Sequence, residues 1–260
     1  KNGGIPGAAS GPNAIRQALA RCTISKQVDI FDIGNIAHTD TLAAAQETLA
    51  EVVAEIIQAQ AFPLILGGGH ETSFGHFLGY VHLARKLVAV NFDAHLDLRP
   101  YETEGHSGSP FRQMFEHKSK LLNSYWASGI ELSKNNSSIL TYAKEHPVFL
   151  RERKDCLPNR LQSFIEAASA HAIKNQASIL ASLDLDAINE SEMPAVSARN
   201  GLGCSKQMAY EYLAALAQSK AISSIDIVEL NPSLDQDGRG ARLTASLIAY
   251  FIDCRATFLK

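Results

Sequence analysis

Residues 87–97 read Leu87-Val88-Ala89-Val90-Asn91-Phe92-Asp93-Ala94-His95-Leu96-Asp97, and this stretch decides the fold. Its first six residues are nearly all apolar, as in a strand buried on both faces. Its last five alternate charged or imidazole side chains with Ala94 and Leu96. Similar short runs occur at Val28–Ile33, Phe62–Leu66, Ser178–Leu185 and Ser223–Leu230. The segments between them have helical period. Leu42, Ala45, Leu49, Val52, Val53, Ile56 and Ile57 make one apolar stripe, with Glu47, Glu51 and Glu55 outside it. Ser205 stands as a cap ahead of Tyr210, Leu213 and Leu216, and Thr244–Phe251 belongs to a last helix. Strands alternating with helices predict a parallel sheet covered on both faces. Ligands of such sheets bind beyond the carboxyl ends of the strands.

Composition narrows the function. A chain of 260 residues that is 46% hydrophobic and 20% charged can build a core, which excludes a disordered tail, a fibre or a coiled coil. A formal charge of -3 with no basic run excludes a nucleic-acid partner. No apolar run approaches the roughly 18 residues of a membrane span. Cys22, Cys156, Cys204 and Cys254 are scattered, without disulfide-framework or zinc-finger spacing, so a reducing cytoplasm is the expected setting. No repeat or linker divides the chain, and a single domain over residues 1–260 is expected. The first residue is Lys1 rather than Met, so the true N-terminus is expected upstream.

Three of the apolar runs end in polar clusters. Gly67-Gly68-Gly69-His70-Glu71 follows the first; it lacks the spacing of a dinucleotide loop and the Lys-Ser/Thr of a P-loop, and His70 alone would read as a turn histidine. Asp93, His95 and Asp97 sit at i, i+2 and i+4, so an extended strand would aim all three to one side and turn Ala94 and Leu96 into the core. Two carboxylates and an imidazole on one face need a counter-ion. Asp184 and Asp186 end the third run, and in isolation they would read as a turn or helix cap. Together the clusters offer four Asp and two His with no Cys, which points away from structural zinc and toward harder divalent ions. Four carboxylates neutralise two divalent cations, and an aspartate-bridged pair lowers the pKa of a shared water.

The motifs G-G-G-H at 67–70, D-A-H-L-D at 93–97 and D-L-D at 184–186 resemble the three metal motifs of the arginase/agmatinase/formimidoylglutamase (ureohydrolase) family. Gly7–Arg16 is similar to the family's N-terminal segment, and Asp226–Pro232 to its last buried strand and following turn. The resemblance implies a three-layer α/β/α sandwich with a mainly parallel eight-stranded sheet and two Mn²⁺ per subunit. It also implies that His70, Asp93, Asp97 and Asp184 hold one manganese and that His95, Asp93, Asp184 and Asp186 hold the other. Asp93 and Asp184 would then bridge, and Glu229 would bind the cationic substrate group, with Asp226 supporting the metal shell from the same strand.

Within the family, the segment 98–113 resembles the formimidoylglutamase branch. Ser107 stands where arginases and agmatinases usually carry a histidine, and His106 is one residue too early. Asn189 stands where many members have a third Asp. The implied reaction is hydrolysis of N-formimidoyl-L-glutamate to L-glutamate and formamide in histidine breakdown. Such a substrate has an amidine at one end and two carboxylates at the other. Arg99 is the first candidate to grip a carboxylate, with Arg112 and Arg199 behind it. Asp97 is the candidate to pass a proton to the leaving nitrogen, and Ser107 to line the substrate head. The alternatives are another amidinohydrolase or a catalytically silent metal-binding assembly protein. A homo-oligomer, trimer or hexamer, is implied by the resemblance.

Overall fold

The computed structural model describes residues 4–37 and 39–258. Its sheet has six strands: β1 (Leu64–Leu66), β2 (Leu87–Phe92), β3 (Leu122–Ile130), β4 (Val148–Glu152), β5 (Ser178–Asp184) and β6 (Ile222–Val228). Their order is β1-β6-β5-β2-β3-β4, and every neighbouring pair is parallel. Parallel pairing needs long crossovers, and eight helices supply them: α1 (Gly11–Leu19), α2 (Leu42–Gln58), α3 (Thr72–His82), α4 (Pro110–Glu116), α5 (Ser137–Glu145), α6 (Pro158–Lys174), α7 (Lys206–Ala217) and α8 (Arg239–Phe258).

The helices form two layers because the strands have two apolar faces. Along β2, Val88, Val90 and Phe92 join the core made with Ile15 of α1, Leu161 of α6, Tyr212 of α7 and Ile248 of α8. Leu87 and Ala89 point the other way, toward Val53 of α2, Phe77 of α3, Met114 of α4 and Ile139 of α5. The cap at Ser205 forms as the sequence predicts, and Glu47, Glu51 and Glu55 lie outside on α2. The buried face of that helix is Gln46, Ala50, Val53, Ala54 and Ile57, so of the expected stripe only Val53 and Ile57 are buried and the rest are half-buried. Thr41 Oγ1 accepts the Ala44 N–H at 3.1 Å, and Ser205 Oγ accepts that of Met208 at 3.4 Å.

Three expectations are corrected. Among the described residues the sheet has six strands, not eight. Residues 28–33 pair with no strand. They run as an exposed ribbon pinned before and after: Ser25 and Lys26 donate backbone N–H groups to Asp253, and Arg16 donates to Gly34 O at 2.7 Å. Phe31 on that ribbon is 83% exposed. The extended strand expected through Asp97 ends at Phe92, and the chain turns. Asp93 Oδ1 accepts the His95 N–H at 2.7 Å, closing that turn with its own side chain. Ala94 and Leu96 are nevertheless fully buried, since Asn135 holds the loop by accepting from Leu96 N–H and donating to Ala94 O.

Candidate metal centre

Parallel strands bring all their carboxyl ends to one side. The polar clusters follow β1, β2 and β5 and the acid Glu229 follows β6, so four adjacent strands deliver them to one place. Glycine makes the exit from β1 possible. A Cβ on Gly67 would stand 2.7 Å from Val228 Cγ1, while the Gly67 N–H still donates to Ile227 O at 2.9 Å.

His70 is the hub. Its Nδ1 lies 2.9 Å from Asp97 Oδ2, 3.0 Å from Asp184 Oδ2 and 3.3 Å from Asp93 Oδ2. His95 Nδ1 lies 3.2 Å from Asp186 Oδ2 and 3.4 Å from Asp93 Oδ1. Two groups therefore form, His70 with Asp93, Asp97 and Asp184, and Asp93 with His95 and Asp186. Asp93 belongs to both, one oxygen turned to each imidazole. Asp184 turns Oδ2 to His70, while its Oδ1 accepts the Asp186 N–H at 2.8 Å. The turn and the cluster, which the sequence offered as alternatives at Asp184, are both present.

Local backbone strain marks the same place. Among the described residues six non-glycine residues have positive φ. Gln60, Ala84, Lys120 and Gln176 lie in the short loops that lead into strands, but Asp97 (φ 47°) and Glu229 (φ 72°) sit in the cluster. Such conformations cost on the order of 1–3 kcal/mol and persist where the surroundings fix them. Glu229 is fixed at two points: its N–H donates to Gly68 O at 2.8 Å, and its Oε1 accepts the His70 N–H at 2.7 Å. Among the described residues no Arg or Lys pairs with it.

The electrostatics describe a site short of positive charge. Burial works against a charged His70, yet the carboxylates of Asp184, Asp93 and Asp97 close to its Nδ1 hold its pKa well above the ordinary range. Burial likewise opposes charge on His95, but Asp186 and Asp93 outweigh it and push the ring up to about 12. Burial would raise Asp93, but His70 and His95 hold it below the usual carboxylate range. Burial and neighbouring carboxylates raise Asp184 well above its usual value. Burial, with Asp93 and Asp97 adding to it against His95, lifts Asp186 to about 6. Glu229 is lifted to about 8 by burial, then by the charges of Asp186 and Glu71.

These residues fit a divalent cation. His70 Nδ1 and Asp186 Oδ1 are buried without a hydrogen-bond partner, and both belong to the cluster. Buried polar atoms are normally paired, so such orphans at the focus of carboxylates are what an ion would satisfy. The ring of Phe111 stands edge-on to His70 at 5.4 Å and stacks on Tyr125 at 4.1 Å, giving the centre an apolar wall.

The remaining candidates occupy the loop that runs from Asp97 to α4. Arg99 is half-buried; its N–H donates to Gly108 O at 2.9 Å, and its guanidinium makes no ion pair among the described residues. Arg112 is engaged elsewhere, on Glu116 at 2.9 Å and over the Tyr142 ring at 4.3 Å. Arg199 is exposed and donates to Pro194 O at 2.9 Å. Ser107 is half-buried. His106 is turned into its own loop: Nδ1 accepts the Gly108 N–H at 3.1 Å, and Nε2 lies 3.3 Å from Pro100 O.

The sequence reading did not single out Ser73, His76 or Ser182, which stand behind His70. Ser182 Oγ is 3.0 Å from His70 Nε2 and donates to Asp226 Oδ1 at 2.5 Å. The signal was available in part, because Ser182 precedes Asp184 by two on the same strand and is in register with Asp226.

A parallel α/β/α sandwich with a buried carboxylate–imidazole cluster at its strand ends defines a metal-dependent class of protein. Residues 1–253 match the model of the arginase family, and the chain belongs to that family. A formimidoylglutamase of Chromobacterium violaceum is 34% identical over 252 residues, covering 95% of this chain and 81% of the relative. One from Rhodococcus jostii is 34% identical over 259 residues, covering 95% of this chain and 79% of the relative. A crystal structure of Trypanosoma cruzi formiminoglutamase with Mn²⁺ superposes with a TM-score of 0.84 at 27% identity, covering 98% of this chain and 89% of that one.

Proposed function

We infer that this protein is a formimidoylglutamase, a hydrolase that breaks an amidine C–N bond with the help of two Mn²⁺ ions. The observation that carries the metal part is the sharing of Asp93 between two groups, one around His70 and one around His95. Full-length similarity to formimidoylglutamases carries the substrate part.

In this reading His70, Asp93, Asp97 and Asp184 hold one ion, and His95, Asp93, Asp184 and Asp186 the other. Such a pair, when bound, supplies an activated water at neutral pH. The chain's own residues do the rest. Glu229 sits beside the cluster with a carboxylate that no Arg or Lys pairs among the described residues, and an amidinium brought against it favours the ionised form. Arg99 offers at the loop a guanidinium not engaged in an ion pair among the described residues, suited to one substrate carboxylate. Asp97 takes the proton released by water and passes it from its carboxylate to the departing glutamate nitrogen. Ser107 cannot store a proton as a cation, so it lines the substrate head and leaves that transfer to Asp97 or to water. Water adds across the amidine carbon, its bond to the glutamate nitrogen breaks, and the products are formamide and L-glutamate.

A cytoplasmic setting, read from the cysteine pattern, and a trimeric or hexameric assembly complete the proposal. Among the described residues no helix is long and apolar enough to cross a membrane. The test is an activity panel on Mn²⁺-loaded protein. Turnover of N-formimidoyl-L-glutamate is expected to exceed that of arginine or agmatine by a wide margin; the reverse order would overturn the substrate and keep the hydrolase.

A further inference from the structure

Under the loop that carries Asp93 and Asp97, strand β2 ends on a buried amide. Side chains alternate along a strand, so Asn91 follows Leu87 and Ala89 onto the face that packs against α2–α5. It is the only polar residue of β2, and it is fully buried. Its Nδ2 donates to Asp93 Oδ2 at 3.1 Å and to the Tyr125 hydroxyl at 3.1 Å. Tyr125, on β3, donates in turn to Leu96 O at 3.2 Å, one residue ahead of the strained Asp97. One amide therefore touches Asp93 directly and reaches the backbone beside Asp97 through a single hydroxyl.

The amide can face only one way. Turned over, its oxygen would stand against the Asp93 carboxylate, acceptor against acceptor. In the orientation present, Oδ1 is buried with no hydrogen-bond partner among the described residues. An apolar side chain would avoid that cost, as Leu87 and Ala89 do on the same face. What the amide supplies is a donor to one particular oxygen. Asp93 Oδ1 is already held by the turn's own backbone, through the His95 N–H at 2.7 Å. Oδ2, which lies 3.3 Å from His70 Nδ1, is held by Asn91. With a donor on each oxygen, the carboxylate is kept from swinging about its Cβ–Cγ bond.

We propose that Asn91 is a positioning residue for the metal centre: its amide holds Asp93 Oδ2 toward His70, while the loop backbone holds Oδ1 toward His95. This inference rests on the metal-centre reading above, in which two ions share Asp93. A shared carboxylate must present its oxygens in two set directions at once, and one fixed through a single oxygen can turn the other away. A carboxylate has about four acceptor positions, so the two hydrogen bonds leave one on each oxygen for an ion. Without the amide, Oδ2 loses its direction and the ion beside His70 is held less well. The ion beside His95 keeps the oxygen that the backbone fixes. Tyr125 serves as the control, because its hydroxyl joins the amide to Leu96 O.

The test has two arms. In the metal-free wild-type protein, nuclear magnetic resonance should show magnetisation passing across the hydrogen bond from the Asn91 side-chain nitrogen to the Asp93 carboxyl carbon. The His95 N–H donates to the same carboxyl group and is the reference. Transfer from His95 without transfer from Asn91 would overturn the inference without need of any variant. The second arm is Mn²⁺ titration followed by paramagnetic resonance. Asn91→Val suits a strand but cannot donate. It should bind one of the two ions roughly 10–100-fold more weakly, the range typical of outer partners of a metal ligand. The other ion should keep its affinity, and Tyr125→Phe, which leaves the amide on Asp93, should keep both. Two ions weakened alike in Asn91→Val, or Tyr125→Phe as damaging as Asn91→Val, would mean a merely structural role; two unchanged would mean none. Each of these results overturns the proposal. Wild-type protein that binds no Mn²⁺ would overturn the metal reading, and with it the role of Asn91.

Discussion

His70 and His76 are both fully buried, and both are surrounded by Asp and Ser, yet their rings are treated in opposite ways. His76 has a partner for each nitrogen, Asp226 Oδ2 at Nδ1 and Ser224 Oγ at Nε2. His70 is matched only at Nε2; its Nδ1 faces three carboxylates and no hydrogen-bond partner. The two regions use the same residue types. What separates a structural network from a ligand site is unmet hydrogen-bonding capacity, and that is visible only when every donor and acceptor is assigned.

The comparison breaks most easily at Asp93, the residue shared by both groups. Asp93→Ala should leave the purified protein nearly free of Mn²⁺ by metal analysis. Wild-type protein at ~100 times the Kd of the ion should gain about 2.7 kcal/mol. At about 2–4 °C per kcal/mol, that is a rise in Tm of roughly 5–10 °C, and the variant should show none of it. Two full equivalents of metal in Asp93→Ala would end the idea of a shared ligand.

Arg99 extends the same logic to the substrate side, since its guanidinium makes no ion pair among the described residues. Arg99→Ala should cost on the order of 1.5–3 kcal/mol of binding, roughly a 10- to 150-fold rise in KM for formimidoyl-glutamate. Metal content should stay unchanged. Unaltered KM would make the arginine a bystander.

Acid sharpens the comparison from another direction. In the metal-free protein, burial opposes charge on His70 and His95, but the surrounding carboxylates hold both rings protonated above their ordinary range. An ion requires the ring without its proton, so protons and metal compete. Affinity should therefore rise with pH, by about tenfold per pH unit for each proton displaced, and fall on acidification. Calorimetry in buffers of different ionisation enthalpy would count the protons; a zero count would contradict the competition.

The smallest effect is expected at His106, whose two nitrogens are occupied within its own loop. His106→Ala should lose about 1 kcal/mol of stability or less and keep most of its turnover. A collapse of kcat with intact metal content would put this ring in the reaction.

Much of this site was legible because parallel strands announce their ends. The apolar runs at Leu87–Phe92 and Ser178–Leu185 each deliver their acids to the same side, and Glu229 closes β6. Strands β3 and β4 were missed for local reasons. Residues 122–130 contain Asn123, Ser124, Ser128 and Gly129, and β4 is an edge strand whose Phe149 and Leu150 are exposed. Gly129 is needed there: its φ is +89°, and a Cβ would lie 3.0 Å from Asp93 O. The reverse error came at 28–33, whose strand-like composition pairs with nothing in the sheet. The chain through His76 was invisible because it depends on the register of Ser182 with Asp226 and on a helix crossing over them. No local pattern in the sequence specifies either.

The uniformly parallel sheet also sets when the centre can exist. Without hairpins, every strand pairing waits for a long crossover, and such non-local closures are slow. His70 and Glu229 join across 159 residues, and His70 and Ser182 across 112. On a ribosome the strand bearing Asp226 emerges long after Asp93, so the cup stays open until nearly the whole chain has been made. Ion capture is therefore a late event in maturation, not a seed around which the chain collects. Mn²⁺ should slow unfolding and leave the refolding rate almost unchanged.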